Sequence, residues 1–145
     1  MIKIGITGSL SSGKSAVARL MSRNKYPLFD ADKAVVGLYK KKDFIKKIKK
    51  KFNFKNTKNL KRKVKNLIKK DKKKLKELES IIHPLVRKEM KTLMKPRKNI
   101  KISIFEIPLL IESKLTKYFD VVVFVGANKN IRLKRYLYKG GNKKI

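Results

Sequence analysis

Gly8-Ser9-Leu10-Ser11-Ser12-Gly13-Lys14-Ser15 fits the pattern G-x-x-x-x-G-K-[ST] at every position. Small residues in such a loop let successive backbone N–H groups converge on a phosphate, and a helix opening at its end adds its dipole. Lys14 would neutralise oxygens of a β- and a γ-phosphate, while the Ser15 hydroxyl would ligate Mg²⁺. The pattern specifies phosphate binding. It does not specify the group to which a phosphoryl is passed.

Six further positions carry residue types that bear on that chemistry. Asp30 and Asp32 close the apolar run "YPLFDAD", at the strand end where open α/β sheets bind ligands. A carboxylate there can accept a hydroxyl proton, or orient the hydroxyl for in-line attack on a γ-phosphate. Asp32 suits that role, and Asp30 suits it and a helix N-cap about equally. Glu106 ends a later apolar run and is placed either to hold Mg²⁺, directly or through water, or as a surface carboxylate. Arg132 and Arg135 follow the last strand-like run, where an arginine can reach a transferring phosphoryl group. In so basic a chain a solvated face accounts better for any single arginine. His83 is the sole histidine, and a lone histidine is more often structural than catalytic.

The elements that must position these residues follow from periodicity. "IKIGIT" (2–7) reads as a short buried strand bounded by Gly8, and Ala16, Val17, Leu20 and Met21 recur at helical spacing over about 14–23. A second strand ends near Phe29 or Asp30, and 31–39 reads as helix. Phe44, Ile45, Ile48 and Phe52 share a helical face, as do Leu60, Val64, Leu67 and Ile68, and then Leu75, Leu78, Ile81 and Ile82. That third helix is expected to end at His83-Pro84, with a further helix over 85–94 opening on the proline. "NIKISIF" (99–105) and "DVVVFVGA" (120–127) return to strand character, the latter as a β-branched run of the kind covered on both faces of a parallel sheet. Strands alternating with helices predict an α/β fold with a parallel sheet. The expected organisation is one domain over 1–145, with a helical insertion at about 40–95 and a lid beginning at about 128.

At 145 residues and 41% hydrophobic content the chain can bury a core. It has no cysteine, which excludes disulfides and thiolate metal sites. No apolar run approaches a membrane span and the N-terminus carries no secretory pattern, so a soluble, cytoplasmic protein is expected. The balance of 42 Lys and Arg against 10 Asp and Glu, a formal +32, fits a polyanion partner or a general lysine bias. Lysine supplies nearly all of the charge and is spread along the chain, whereas base readout and phosphate forks favour arginine. A nucleic-acid partner is therefore the lesser reading, though the excess leaves it open.

Five segments in order resemble the dephospho-CoA kinase family of P-loop enzymes: "ITGSLSSGKSAVA", "FDADKAV", "LESIIHPLVRKEM", "FEIPLLIES" and "IRLKR". The resemblance implies a P-loop NTPase three-layer sandwich and ATP-dependent phosphorylation of the ribose 3′-hydroxyl of dephospho-CoA, with ATP and Mg²⁺. It implies that Gly8 and Ser11, Ser12, Gly13, Lys14, Ser15 and Ala16 bind ATP, and that Ser15 and Glu106 serve the metal. Asp32 would be the base, and Lys14 and Arg135 would stabilise the transferred phosphoryl group. Asp30, His83, Pro84, Pro108, Leu109 and Glu112 would shape the acceptor pocket. A monomer without membrane attachment is expected.

The chain departs from the family pattern at Ser9 and Ser11, where glycine is usual. A serine at a position needing positive φ carries a strain cost. Glu106 stands for the usual Asp. Beyond Arg135 the family continues with a second lid arginine, a helix and a last strand, whereas this chain has Lys139 and the polar run "GGNKKI". Only the family's N-terminal and central parts are thus represented, which predicts reduced or abolished turnover. Two other readings are open to the same residues. One is a P-loop kinase for a nucleoside monophosphate or shikimate. The other is a basic nucleic-acid-binding protein without chemistry.

Overall fold

A computed structural model describes residues 1–141. The apolar run after Met1 forms β1 (Ile2–Gly8), and the Gly-Lys-Ser turn opens α1 (Lys14–Ser22). β2 (Leu28–Asp30) leads directly into α2 (Ala31–Leu38). Three lysine-rich helices follow, α3 (Lys42–Lys51), α4 (Leu60–Lys70) and α5 (Lys72–Leu93). The chain then forms β3 (Ile102–Glu106), a short 3₁₀ turn over Thr116–Tyr118, β4 (Val121–Val125) and α6 (Lys129–Tyr138). Residues 142–145, the end of the anticipated lid segment, lie outside the described residues.

All four strands run parallel in the order β2-β3-β1-β4. This is the α/β architecture with a helical insertion after the second strand that the alternation of elements predicts. Two compact units result: Met1–Ala31 with Thr92–Ile145, and Asp32–Lys91.

In the sheet unit, strand alternation decides what each face carries. Ile4, Ile6, Leu28, Ile102 and Ile104 point to one face and pack with Val17, Ala18 and Met21 of α1. The opposite face holds Phe29 and Phe105, ring centroids 6.0 Å apart, and Phe119 at 5.5 Å from Phe105. Gly5 also lies on this face, and a Cβ there would come within 2.6 Å of Leu110 Cδ1. β4 differs from its sequence expectation, because it is an edge strand. Val121, Val122 and Phe124 are exposed, with Phe124 at 60%. A β-branched run fixes extended backbone; cover depends on sheet position, which the run does not encode.

Asp120 fastens that edge strand. Its carboxylate accepts the Lys3 backbone N–H at 2.7 Å, and its own N–H donates to the Lys3 carbonyl at 3.0 Å. The Lys3 ammonium lies 3.7 Å away. The Lys3 N–H bond, reinforced by the ammonium charge, lowers the Asp120 pKa from the ordinary aspartate value.

The helical unit forms its own core. Leu38, Phe44, Ile48, Leu60, Val64, Leu78, Ile81 and Ile82 are buried together, drawn from four helices of which α3, α4 and α5 are rich in lysine. Asp71 caps α5, its Oδ1 accepting the N–H groups of Lys73 at 2.8 Å and Lys74 at 3.3 Å. The expected break at His83-Pro84 is absent: α5 runs through Pro84 as one 22-residue helix. A proline inside a helix removes one backbone hydrogen bond and crowds the preceding turn. Burial of Ile81, Ile82 and Met90 on either side keeps the helix continuous.

Two outcomes are expected. Ile48→Ala, at a fully buried position, lowers stability by about 2–5 kcal/mol, read as a fall in the urea midpoint. Asp120 has a depressed folded-state pKa, so its contribution is complete above the ordinary aspartate value and fades as pH falls through the lower one. Thermal midpoints followed downward from about pH 5 should fall less steeply for Asp120→Asn than for the parent. Equal slopes would remove Asp120 from the acid response.

Candidate active site

β1 ends at Gly8, whose φ of 149° places its Cα so close to β4 that a Cβ would lie 2.2 Å from the Val125 carbonyl oxygen. Only glycine fits this position. Gly13, at φ 105°, turns the chain into α1 and has Arg135 Nη1 about 3.3 Å from where a Cβ would be. Between them Ser11 adopts φ 57°, so of the two serines standing where the family has glycine it is the one in the left-handed region. Ser9 does not share that conformation. The left-handed region costs a non-glycine residue about 1–2 kcal/mol.

The loop closes on itself through Lys14. The Lys14 ammonium donates to the carbonyls of Gly8 at 3.0 Å and Ser9 at 2.9 Å. The N–H groups of Ala16 and Val17 return to the Gly13 carbonyl. Those of Gly13, Lys14 and Ser15 meet no acceptor among the described residues, as expected of a first helical turn free to hold an anion. Ser12 is buried and its Oγ has no partner among the described residues. A buried hydroxyl with no partner is costly unless a ligand or water completes it.

Ser15 and Glu106 meet across this site. The Ser15 hydroxyl donates to Glu106 Oε1 at 2.6 Å, and Glu106 is only 5% exposed. Asp30 is the register partner of Glu106 on β2, as Ile6 is on β1. Strand alternation turns Asp30 and Glu106 to the face that carries α1. Both oxygen groups of the Ser15–Glu106 pair are of the hard type that Mg²⁺ prefers. Among the described residues no group of three acidic or histidine side chains forms a protein-only metal cage.

Arg135, on α6, donates from Nη1 to the Ser12 carbonyl at 2.9 Å. Arg132, one turn earlier, has a buried Nε without a partner among the described residues. On the other side of the loop, a cavity of about 370 Å³ is bounded by Gly8, Ser9, Leu10 and Lys14 and by Pro108, Leu109 and Glu112. Thr7 braces that cavity, its hydroxyl donating to the Pro108 carbonyl at 3.0 Å. Phe124 and Ile111 complete the lining. Ile111 falls within the 108–112 span that the family resemblance assigns to the acceptor pocket, whereas Phe124 was not singled out in the sequence. The available signal was the parity of β4, which separates Phe124 from Val123 and Val125, the two β4 residues packed on the α1 face.

The remaining sequence candidates lie in the helical unit. Asp32 is exposed in the first turn of α2, and His83 and Pro84 are exposed on α5. Gly8, Ser11 to Ala16, Asp30, Glu106, Pro108, Leu109, Glu112 and Arg135 all belong to the sheet unit.

A parallel sheet with a glycine-bounded loop at the end of β1, opening α1 on Lys-Ser, defines a P-loop nucleotide-binding α/β protein. Comparison with known families narrows this class. The family model for dephospho-CoA kinase (CoaE) matches residues 2–144, and the chain belongs to that family. A dephospho-CoA kinase of Bartonella henselae is 37% identical over 140 residues, which cover 94% of this chain and 72% of the relative. That of Fusobacterium nucleatum is 34% identical over 138 residues, 92% of this chain and 71% of the relative. Among solved structures, TT1252 from Thermus thermophilus superposes with a TM-score of 0.78 at 31% identity, over 98% of this chain and 74% of that one. No helix among the described residues is long and apolar enough to cross a membrane.

Ser11→Gly is expected to raise the thermal midpoint, because relief of the left-handed serine exceeds the added chain entropy by about 1 kcal/mol or less. An unchanged or lower midpoint would show that the loop holds Ser11 without strain.

Proposed function

We propose that this protein transfers the γ-phosphoryl group of ATP to the ribose 3′-hydroxyl of dephospho-CoA, releasing ADP and coenzyme A. The observation that carries this reading is the complete P-loop with its Ser15–Glu106 pair, in a chain that matches one kinase family along nearly its whole length. The reading includes a cytoplasmic, monomeric enzyme that uses Mg²⁺.

The roles follow from charge and reach. The free amides of Gly13, Lys14 and Ser15 receive phosphate oxygens, and the orphaned Ser12 hydroxyl gains a partner. Lys14 exchanges the Gly8 and Ser9 carbonyls for oxygens of the β- and γ-phosphates. Ser15 and Glu106 would hold Mg²⁺, which when bound offsets the phosphate charge.

Asp32 accepts the proton of the 3′-hydroxyl as its oxygen bonds to the γ-phosphorus, and the bond to the β,γ-bridging oxygen breaks to leave ADP. Arg135 leaves the Ser12 carbonyl to pair with the oxygens of the transferring group. Asp30, Pro108, Leu109 and Glu112 shape the place of the acceptor on the sheet unit.

A coupled ADP-release assay tests the reaction. Dephospho-CoA should be consumed in preference to AMP or shikimate, and Lys14→Ala should abolish turnover. No ADP release above the Lys14→Ala background with any of the three would overturn the reading. Arg135→Ala should lower kcat by about 100-fold or more with little change in ATP affinity. Asp32→Asn should lower kcat while nucleotide binding persists. If Asp30→Asn alone does so, the base is Asp30.

A further inference from the structure

The helical unit holds a second concavity that the kinase reaction does not use. It has a volume of about 570 Å³ and lies where α2 has ended, between α3 and the start of α4. Tyr39, Ile45 and Leu60 form its apolar floor, and Lys61, Arg62 and Lys65 its wall. Asp32 lies in the first turn of α2 and Tyr39 directly follows its last residue, so the length of the helix, about 10 Å, separates them. The concavity is therefore well removed from the position proposed for the base.

Three features of this wall suit an anionic ligand. The first is concavity: the volume falls in the range of small-molecule pockets, about 300–1,000 Å³. The second is charge without compensation. The carboxylate nearest in sequence, Asp71, caps α5, while Glu77 pairs with Lys51 and Lys74 and Glu89 with Lys41. Lys61, Arg62 and Lys65 meet no carboxylate among the described residues.

The third is residue type. Residues 32–91 contain 24 of the chain's lysines and arginines, of which only Arg62 and Arg87 are arginine. Arg62 brings a planar fork to this wall that matches phosphate geometry. Tyr39 packs edge-on against Phe44 at 5.1 Å, which fixes its ring. A held aromatic ring beside cations presents a surface for a flat apolar body that ends in phosphate.

We propose that this concavity is a second binding site, separate from the P-loop, for a mononucleotide: a flat ring over Tyr39, Ile45 and Leu60, and phosphates on Lys61, Arg62 and Lys65. The site needs no chemistry of its own and does not depend on the acceptor assigned to the kinase.

ADP is the probe, titrated into ¹⁵N-labelled full-length Lys14→Ala protein so that the P-loop is weakened. The amides of Tyr39, Ile45 and residues 59–65 should shift together and saturate. The further pair Arg62→Glu and Lys65→Glu, at exposed positions that the core does not use, should weaken this response by about tenfold or more. The same pair placed in the parent chain should leave the ATP-induced shifts of residues 8–16 unchanged. Circular dichroism confirms that the helices remain.

Absence of saturable shifts at residues 59–65 would overturn the proposal. So would equal affinity for inorganic pyrophosphate and ADP, combined with an equal loss on reversing Lys46 and Lys49, since that pattern is unspecific attraction. A thymidine dodecamer that binds about 100-fold more tightly than ADP and shifts amides across α3, α4 and α5 would also overturn it, in favour of a nucleic-acid face.

Discussion

The close approach of β1 to β4 at Gly8 is the constraint on which the site depends. The Gly8 Cα packs against the Val125 carbonyl with no room for a side chain. β1 can therefore continue alongside β4 to its last residue and release the loop at the sheet's C-terminal edge. From that point the Gly13 turn brings the amides of Lys14 and Ser15 round to face the same space that Glu106 reaches from β3. Register carries the constraint outward, because Ile6, Glu106 and Asp30 are aligned across three strands. Displacement of one strand by a single residue would turn Glu106 to the other face and separate it from Ser15.

The same constraint explains the investment in the edge. β4 supplies the Val125 carbonyl and leads into α6, which carries Arg135 to the Ser12 carbonyl. Yet β4 has a neighbour on one side only among the described residues, and much of its surface is exposed. Asp120 compensates with two backbone bonds and one ion pair to Lys3, fixing the start of β4 where it joins β1. Loop geometry at one end of the sheet thus relies on a carboxylate at the other.

Most of this was legible in sequence because the signals were local. The P-loop pattern encodes its own backbone requirements, and the family's glycine usage marked Ser9 and Ser11 as places where a positive φ would carry strain, a conformation that only Ser11 adopts. Helical faces such as Phe44, Ile45 and Ile48 repeat within one element. Three features were not legible, each for a physical reason. Phe124 reads as core because its strand is β-branched, but strand order put it at an edge. Pro84 reads as a helix start, but burial on both sides outweighed one missing hydrogen bond. The Asp120 clamp spans 117 residues, and no local pattern encodes it.

The ten carboxylates also show how a chain of +32 manages its charge. With cations in fourfold excess, electrostatics alone would let almost any exposed carboxylate find a lysine, and several do so at modest gain. Glu77 bridges Lys51 and Lys74, and Glu89 meets Lys41. Glu106 is different, because it is buried and its bond is to a neutral hydroxyl. Burying a carboxylate away from an abundant supply of surface cations costs solvation that no ion pair among the described residues offsets. Such a group is stable in the folded state only where local dipoles or a bound cation compensate it. A Ser15 hydroxyl at 2.6 Å supplies one dipole, and an oxygen pair of this kind leaves a place for the cation that phosphate chemistry brings with it.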